Sequence, residues 1–235
     1  MGFFNDIFSI FKKSELELLE SYKESADVYT FSFKKDKDLT WNAGQHGLFT
    51  ITHKKIKDSI RPFSVASSSN EDVIKITTRI GENPSEFKKA LLELKSGMKV
   101  SMSGPVGSFY LKDNSPTLLI AGGIGITPFR AMVKQLETEG NGKNNKITLL
   151  YLDSKKSFAF KEELDQIAKN TSIDISYLES RDELYKSIEN FISTHKNNGK
   201  YYIAGSKSMV DSISGHLTNN HISKKNIKKH NFRGI

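Results

Sequence analysis

The sequence changes texture once, near Asp113-Asn114-Ser115-Pro116, and that change limits the chain to folds with two dissimilar halves. From Leu16 to Lys112, short apolar runs are separated by glycine-bearing turns. Val28–Phe33 (VYTFSF) alternates with period two, as a half-buried strand does. Leu48–Thr52, Ser59–Ser67 and Val73–Ile80 read as further strands, with short ones at Val100–Met102 and Ser108–Leu111. One helix, Ser85–Leu94, interrupts them. Such a series predicts an antiparallel β-barrel or sandwich. From Thr117 onward, strands (Thr117–Ala121, Lys146–Leu152, Ile173–Leu178, Tyr201–Ala204, Asn226–Phe232) alternate with helices (Pro128–Glu139, Phe160–Lys169, Asp182–Thr194, Lys207–Asn219). That order predicts an α/β doubly wound parallel sheet. The domains read as 14–113 and 114–235, preceded by a segment 1–13.

That leading segment, MGFFNDIFSIFKK, places Phe3, Phe4, Ile7, Phe8 and Phe11 on one helical face. It is read as an amphipathic helix, and its shortness favours packing back on the protein over contact with a membrane surface. No run of about 18 apolar residues predicts a spanning helix, and no cleavable leader is evident. Cysteine is absent, which excludes disulfides, thiolate metal sites and a thiol nucleophile, and fits a cytoplasmic protein. The six histidines show no zinc spacing, so no metal is expected. The net charge of +8 favours an acidic partner. No nucleic-acid motif accompanies the lysine clusters, and nucleic acid is not expected.

Three stretches carry chemistry. In Leu118–Met132 (LLIAGGIGITPFRAM) an apolar strand stops at Gly122-Gly123, Gly125 follows, and a helix begins. Thr127 is expected to cap that helix and Pro128 to take its first position. Small residues let a ligand approach the backbone, and a helix N-terminus attracts an anion, so a phosphate or dinucleotide site is predicted. In Arg61-Pro62-Phe63-Ser64, the arginine and the ring share one face of an extended segment, which suits a ligand with a phosphate and a flat ring. Gly81-Glu82-Asn83-Pro84-Ser85 precedes the barrel's helix and offers a second anion site. Each stretch alone also fits an ordinary strand or turn.

Taken in order, these stretches resemble the ferredoxin–NADP reductase superfamily of flavoproteins. Arg61 to Ser64 is similar to the family's RxYS flavin motif, and Gly81 to Ser85 to its pyrophosphate turn. Gly104-Pro105-x-Gly107-x-Phe109 resembles the GPxGxF that closes the flavin barrel. Gly122-Gly123-x-Gly125-x-x-Pro128 resembles the nicotinamide-domain turn, and Ala204-Gly205-Ser206-x-x-Met209 the CGPxxM segment. Ala43-Gly44-Gln45 resembles the family's GQ strand. The resemblance runs from about Leu16 to the C-terminus.

The resemblance implies FAD in the barrel and NAD(P)H in the second domain. Arg61, with Pro62, would bind the FAD pyrophosphate; Gly81, Pro84 and Ser85 would take it at the helix N-terminus. Phe63 would lie against the flavin, and Ser64 would hydrogen-bond near the hydride-accepting nitrogen, these two standing at the reaction. Gly122, Gly123, Gly125, Thr127 and Pro128 would line the dinucleotide pyrophosphate site. Gly205, Ser206 and Met209 would bring up the nicotinamide. Phe63 replaces the motif's tyrosine, Ala204 and Ser206 its cysteine and proline, and Phe232-Arg233-Gly234-Ile235 stands for a C-terminal FxGY. Ser180 and Arg181, with Lys155 or Lys156, suit a 2′-phosphate, whereas Asp153 suits a free ribose. The balance falls on NADPH over NADH.

The activity implied is hydride transfer from NAD(P)H to FAD, with electrons passed singly to a small acidic redox protein such as a ferredoxin or flavodoxin. Alternatives are a reductase of small molecules (flavin, ferric or quinone) and a flavin-bearing regulatory component of a larger complex with little turnover of its own.

Overall fold

The computed structural model describes residues 13–140 and 146–232. Residues 1–12 of the helix expected over 1–13, most of the polar loop after Glu139, and Arg233 to Ile235 lie outside the described residues; Lys13 is in a strand. The chain divides into two compact units between Tyr110 and Leu111.

The first unit holds β1 (Lys13–Ser25), β2 (Val28–Lys34), β3 (His46–Ile51), β4 (Ile60–Ser64), β5 (Val73–Arg79), α1 (Glu86–Glu93) and β6 (Lys99–Val106). The strands run β4-β3-β6-β1-β2-β5, and every pair is antiparallel. Past the end of β4, the edges meet: Ala66 donates its N–H to the Lys75 carbonyl at 2.8 Å, and Lys75 donates to the Ser67 hydroxyl at 3.0 Å. The sheet is thereby rolled into the expected barrel. Alternate residues point inward, so Leu16, Leu18, Phe31, Phe33, Phe49, Ile74, Ile76, Val100 and Met102 form one core. α1 adds Phe87, Ala90 and Leu91, which its helical spacing aligns on a single face.

Two strand expectations are corrected. Val100–Met102 belongs to the longer β6, and Ser108–Leu111 forms no strand. Near its end β6 contains the cis bond Gly104-Pro105, and the chain turns just past the strand at Gly107, whose φ of +111 favours glycine. The Gln45 side-chain amide donates to the Gly107 carbonyl at 2.9 Å, which fixes that turn. β1 is an addition to the strands expected from sequence. Only Ser14, Leu16 and Leu18 alternate inward; beyond the irregularity at Leu18/Glu20 the strand is open to solvent and polar.

The second unit comprises β7 (Thr117–Gly122), α2 (Ile126–Thr138), β8 (Ile147–Leu152), α3 (Lys161–Asn170), β9 (Asp174–Leu178), α4 (Arg181–His195), β10 (Lys200–Ser206), α5 (Lys207–Asn219) and β11 (Ile227–Phe232). The strand order is β11-β10-β7-β8-β9, all parallel. α4 and α5 bury Leu184, Ile188, Val210, Ile213 and Leu217 against Leu118, Ile120, Leu150 and Ile203 of the sheet. α2 and α3 are tied by Arg130 and Glu163. The order reverses between β7 and β10, and sheets of this kind receive ligands outside the carboxyl ends of the strands at that reversal.

Candidate functional site

In the barrel unit, Arg61 and Phe63 sit on the edge of the pairing, opposite Phe49 and Gly47 of β3. Directly opposed residues share a face, so the guanidinium and the ring lie on the same side, as the spacing predicted. Phe63 is half-buried and held by two rings, Phe49 edge-on at 5.8 Å and Phe87 at 5.7 Å. Arg61 leans on Asp58 (3.4 Å) and donates to the Ile60 carbonyl. Ser64 is on the other face, buried, opposite His46. Pro62 is exposed beside them.

Ser85 caps α1: its hydroxyl accepts the Lys88 N–H at 3.4 Å. The neighbouring Lys88 amine is half-buried, and burial lowers its pKa. Gly81 is exposed, and a Cβ there would meet nothing within 4 Å. The approach to the N-terminus of α1, by Gly81 and Pro84, is thus open to an anionic group, and the residues fit a flavin dinucleotide.

In the second unit, the three glycines of the turn differ from one another. A Cβ at Gly125 would stand 2.2 Å from the Ala204 carbonyl oxygen, and one at Gly122 would stand 2.1 Å from the Met209 sulfur. Both are glycine because the end of β7 is pressed against the end of β10 and the start of α5. Met209 also touches Gly205, whose added Cβ would be 3.2 Å from its sulfur. The glycine turn and the Ala204–Met209 segment are therefore one packed unit at the strand reversal. Gly123 is different: its φ is +53, and only Asp153 Oδ2, at 3.9 Å, comes near its missing side chain. That side of the turn is open backbone next to the first turn of α2, where an anionic group can approach.

The start of the helix needs correction. Gly123–Gly125 forms a 3-10 turn that runs straight into α2 at Ile126, with Gly125 at the cap position. Thr127 caps nothing; it is buried, and its hydroxyl donates to the Ile124 carbonyl at 3.2 Å. Pro128 is the third helical residue, still within the first turn where an N–H has no helical partner.

Ser206 caps α5 by accepting the Met209 N–H. Ser180 caps α4 in a full capping box: Ser180 accepts the Glu183 N–H, while Glu183 accepts the N–H groups of Ser180 and Glu179. Those N–H groups hold the Glu183 carboxyl below its ordinary range. Arg181 opens α4 and lines a shallow groove with Leu152, Tyr185, Met209 and Ser212. Asp153 is buried, and its Oδ1 accepts the Lys155 N–H at 2.8 Å. Lys156 pairs with Glu179 at 2.6 Å. Phe232 ends β11 opposite Ser206, its ring against His230. Glu179 and Tyr185 belong to no motif and were not among the residues expected from sequence, although Tyr185 stands four residues after Arg181 and shares its helical face.

Among the described residues no helix is long and apolar enough to cross a membrane.

Comparison with known proteins agrees with this architecture. Residues 15–110 match the oxidoreductase FAD-binding domain and residues 119–215 the oxidoreductase NAD-binding domain. The chain is 25% identical to a component of the Na(+)-translocating NADH-quinone reductase of Actinobacillus pleuropneumoniae, over 89% of this chain and 58% of that protein. It is 31% identical to a probable dihydroorotate dehydrogenase B electron transfer subunit of Methanocaldococcus jannaschii, over 57% of this chain and 49% of that one. The chain thus spans about half the length of the curated relatives it matches. Among solved structures, the ferredoxin-NADP+ reductase of Plasmodium falciparum has the same fold, with a TM-score of 0.80 at 20% identity over 94% of this chain and 96% of that one. With an FAD-binding barrel followed by an NAD-binding parallel sheet, the chain belongs to the ferredoxin–NADP reductase-like superfamily of FAD- and NAD(P)H-dependent oxidoreductases.

Proposed function

We propose that the chain takes hydride from NAD(P)H onto FAD and delivers the electrons singly to a separate acidic carrier protein of the ferredoxin or flavodoxin kind. The observation that carries the site assignment is the pair of open glycines, Gly81 and Gly123, each beside a helix start and each without a neighbour that requires glycine. When bound, FAD supplies a two-electron acceptor that can be emptied one electron at a time, and NAD(P)H supplies the hydride.

The chain's own residues bind and orient. Arg61 takes the flavin's pyrophosphate with the N–H groups at Ser85, and Gly81, Pro62 and Pro84 shape its approach. Phe63, held between Phe49 and Phe87, would offer the flavin a fixed flat surface, and the resemblance assigns Ser64, buried on the other face of β4, to the reacting nitrogen. Gly123 and the first turn of α2 bind the second dinucleotide's pyrophosphate. Gly122, Gly125 and Thr127 act on it indirectly, by setting the shape of the turn. Gly205 and Ser206 flank the nicotinamide, with Met209 packed behind them. Ser180, Arg181 and Lys155 would meet the adenosine end, with Asp153 between them and Gly123, and Phe232 stands beside Ser206. Hydride transfer needs contact and alignment more than a proton-transferring group, so the roles assigned here are all roles of placement.

The charge of +8 supports an acidic partner. The test is electron transfer from the NAD(P)H-reduced protein to a ferredoxin or a flavodoxin, followed by stopped-flow absorbance at rising ionic strength. The reading expects fast transfer that slows steeply with salt. Transfer that is slow and indifferent to salt, beside brisk reduction of ferricyanide, contradicts it. A second reading, a flavin-bearing component that works inside a larger assembly, is supported by relatives named as subunits of a quinone reductase and of dihydroorotate dehydrogenase B. Copurification of a partner enzyme together with weak stand-alone turnover favours that reading.

A further inference from the structure

Two loops leave the carboxyl ends of the neighbouring strands β8 and β9, and an ion pair joins them. Lys156 Nζ lies 2.6 Å from Glu179 Oε2, both side chains being open to solvent. Backbone structure aims the lysine. The turn Asp153–Lys156 is closed by the Lys156 N–H on the Asp153 carbonyl at 3.0 Å and by the Lys155 N–H on the Asp153 carboxylate. Lys156 itself adopts a left-handed φ of 56°. On the other side, Glu179 immediately precedes the helix cap Ser180, and its N–H is fixed on Glu183 at 3.1 Å. Glu183 also feels the Lys156 charge. Arg181, the first residue of α4, lines the adjoining groove. At this edge the Lys156 ammonium is therefore taken up by Glu179, with Glu183 close by.

We propose that Glu179 determines which nicotinamide cofactor this chain accepts, by neutralising Lys156 at the adenosine end of the dinucleotide site. The proposal rests on the reading that this edge of the sheet binds the dinucleotide. A ribose diol is neutral and donates hydrogen bonds, so it suits a mouth rich in carboxylate oxygens. A 2′-phosphate carries between one and two negative charges near neutral pH, and here it meets a lysine already engaged by Glu179. Ser180, Arg181 and the two lysines, taken from sequence, favour NADPH; the pairing removes one of those cations from the count. The pairing therefore biases the native chain toward NADH, and loss of the Glu179 charge shifts it toward NADPH.

The experiment titrates 5′-ADP and 2′,5′-ADP into the full chain by calorimetry, with FAD present, using wild type, Glu179→Gln, Lys156→Met and the double variant. Glu179→Gln is expected to tighten 2′,5′-ADP about tenfold, the effect of freeing the Lys156 charge for a multiply charged anion in high dielectric. Binding of 5′-ADP should stay within about twofold of wild type, since that ligand has no 2′-phosphate for the freed Lys156 to pair with. The gain should vanish in the double variant and shrink with salt. An unchanged ratio of the two affinities in Glu179→Gln, or an equal gain in the double variant, overturns the role of Glu179 and leaves the dinucleotide site standing. If neither nucleotide binds wild type, the dinucleotide reading falls, and the proposal with it.

Discussion

Gly125 and Gly123 are two positions apart in one turn, yet they are glycine for opposite reasons. A Cβ on Gly125 would overlap the backbone of Ala204 at 2.2 Å, and backbone cannot swing aside. Gly125→Ala is expected to lose about 2–3 kcal/mol of stability through overpacking, read as a lowered melting temperature of the second unit. Gly123→Ala strains a single residue at φ +53, a cost of roughly 1–2 kcal/mol. Its larger effect should be on dinucleotide affinity, because the methyl group occupies the open side of the turn. A melting point that falls in both variants with nucleotide affinity unchanged in Gly123→Ala would refute this division. The motif letters GGxGxxP are readable in sequence, but the difference between these glycines is not. It depends on Met209 and Ala204, which lie some eighty residues away along the chain.

Among the helices, a start is legible in sequence where a side chain caps it. Ser85 and Ser206 cap α1 and α5, and Ser180 with Glu183 makes the capping box of α4. The start of α2 misleads because Thr127 looks like a cap; the preceding 3-10 turn already opens the helix, and the hydroxyl folds back onto Ile124. The union of α2 with α3 has no signature in sequence. Arg130 is fully buried, and its guanidinium makes a two-pronged contact with Glu163 while lying 5.9 Å from the Phe160 ring. Glu163→Gln removes the carboxylate that grips the buried Arg130 guanidinium, and a loss of about 3 kcal/mol is expected. Chemical denaturation monitored on the second unit measures it. Because Glu163 is partly open to solvent, a loss below about 1 kcal/mol would mean that Arg130 is held by its other surroundings and the ion pair adds little.

Across the whole molecule, the division into a barrel unit and a parallel-sheet unit is legible from periodicity alone, since alternation by two gives way to strand–helix alternation near Pro116. The closure of the barrel is not, because it rests on Ala66, Ser67 and Lys75 meeting beyond the ends of their strands. A pH response of the molecule follows from Tyr201, which is fully buried in β10 and donates to the Lys196 carbonyl at 2.9 Å. Burial pushes its phenol up to about 12 from an ordinary 10. The folded state thus favours the neutral phenol. Its contribution is complete below about pH 10 and is lost as pH rises through 12. Stability measured by denaturation should be level from neutral pH to about 9 and then fall, with phenolate absorbance appearing together with unfolding.

Whether one chain holds both cofactor sites is decided by a visible spectrum. The purified, gel-filtered protein is recorded before and after anaerobic NADH, and again with NADPH. Flavin bands that bleach on adding reduced nicotinamide are expected, more readily with NADH if Glu179 acts as proposed. A protein that shows no flavin bands even after incubation with FAD would contradict the assignments of Arg61, Gly81 and Ser85, and with them the function proposed for the chain.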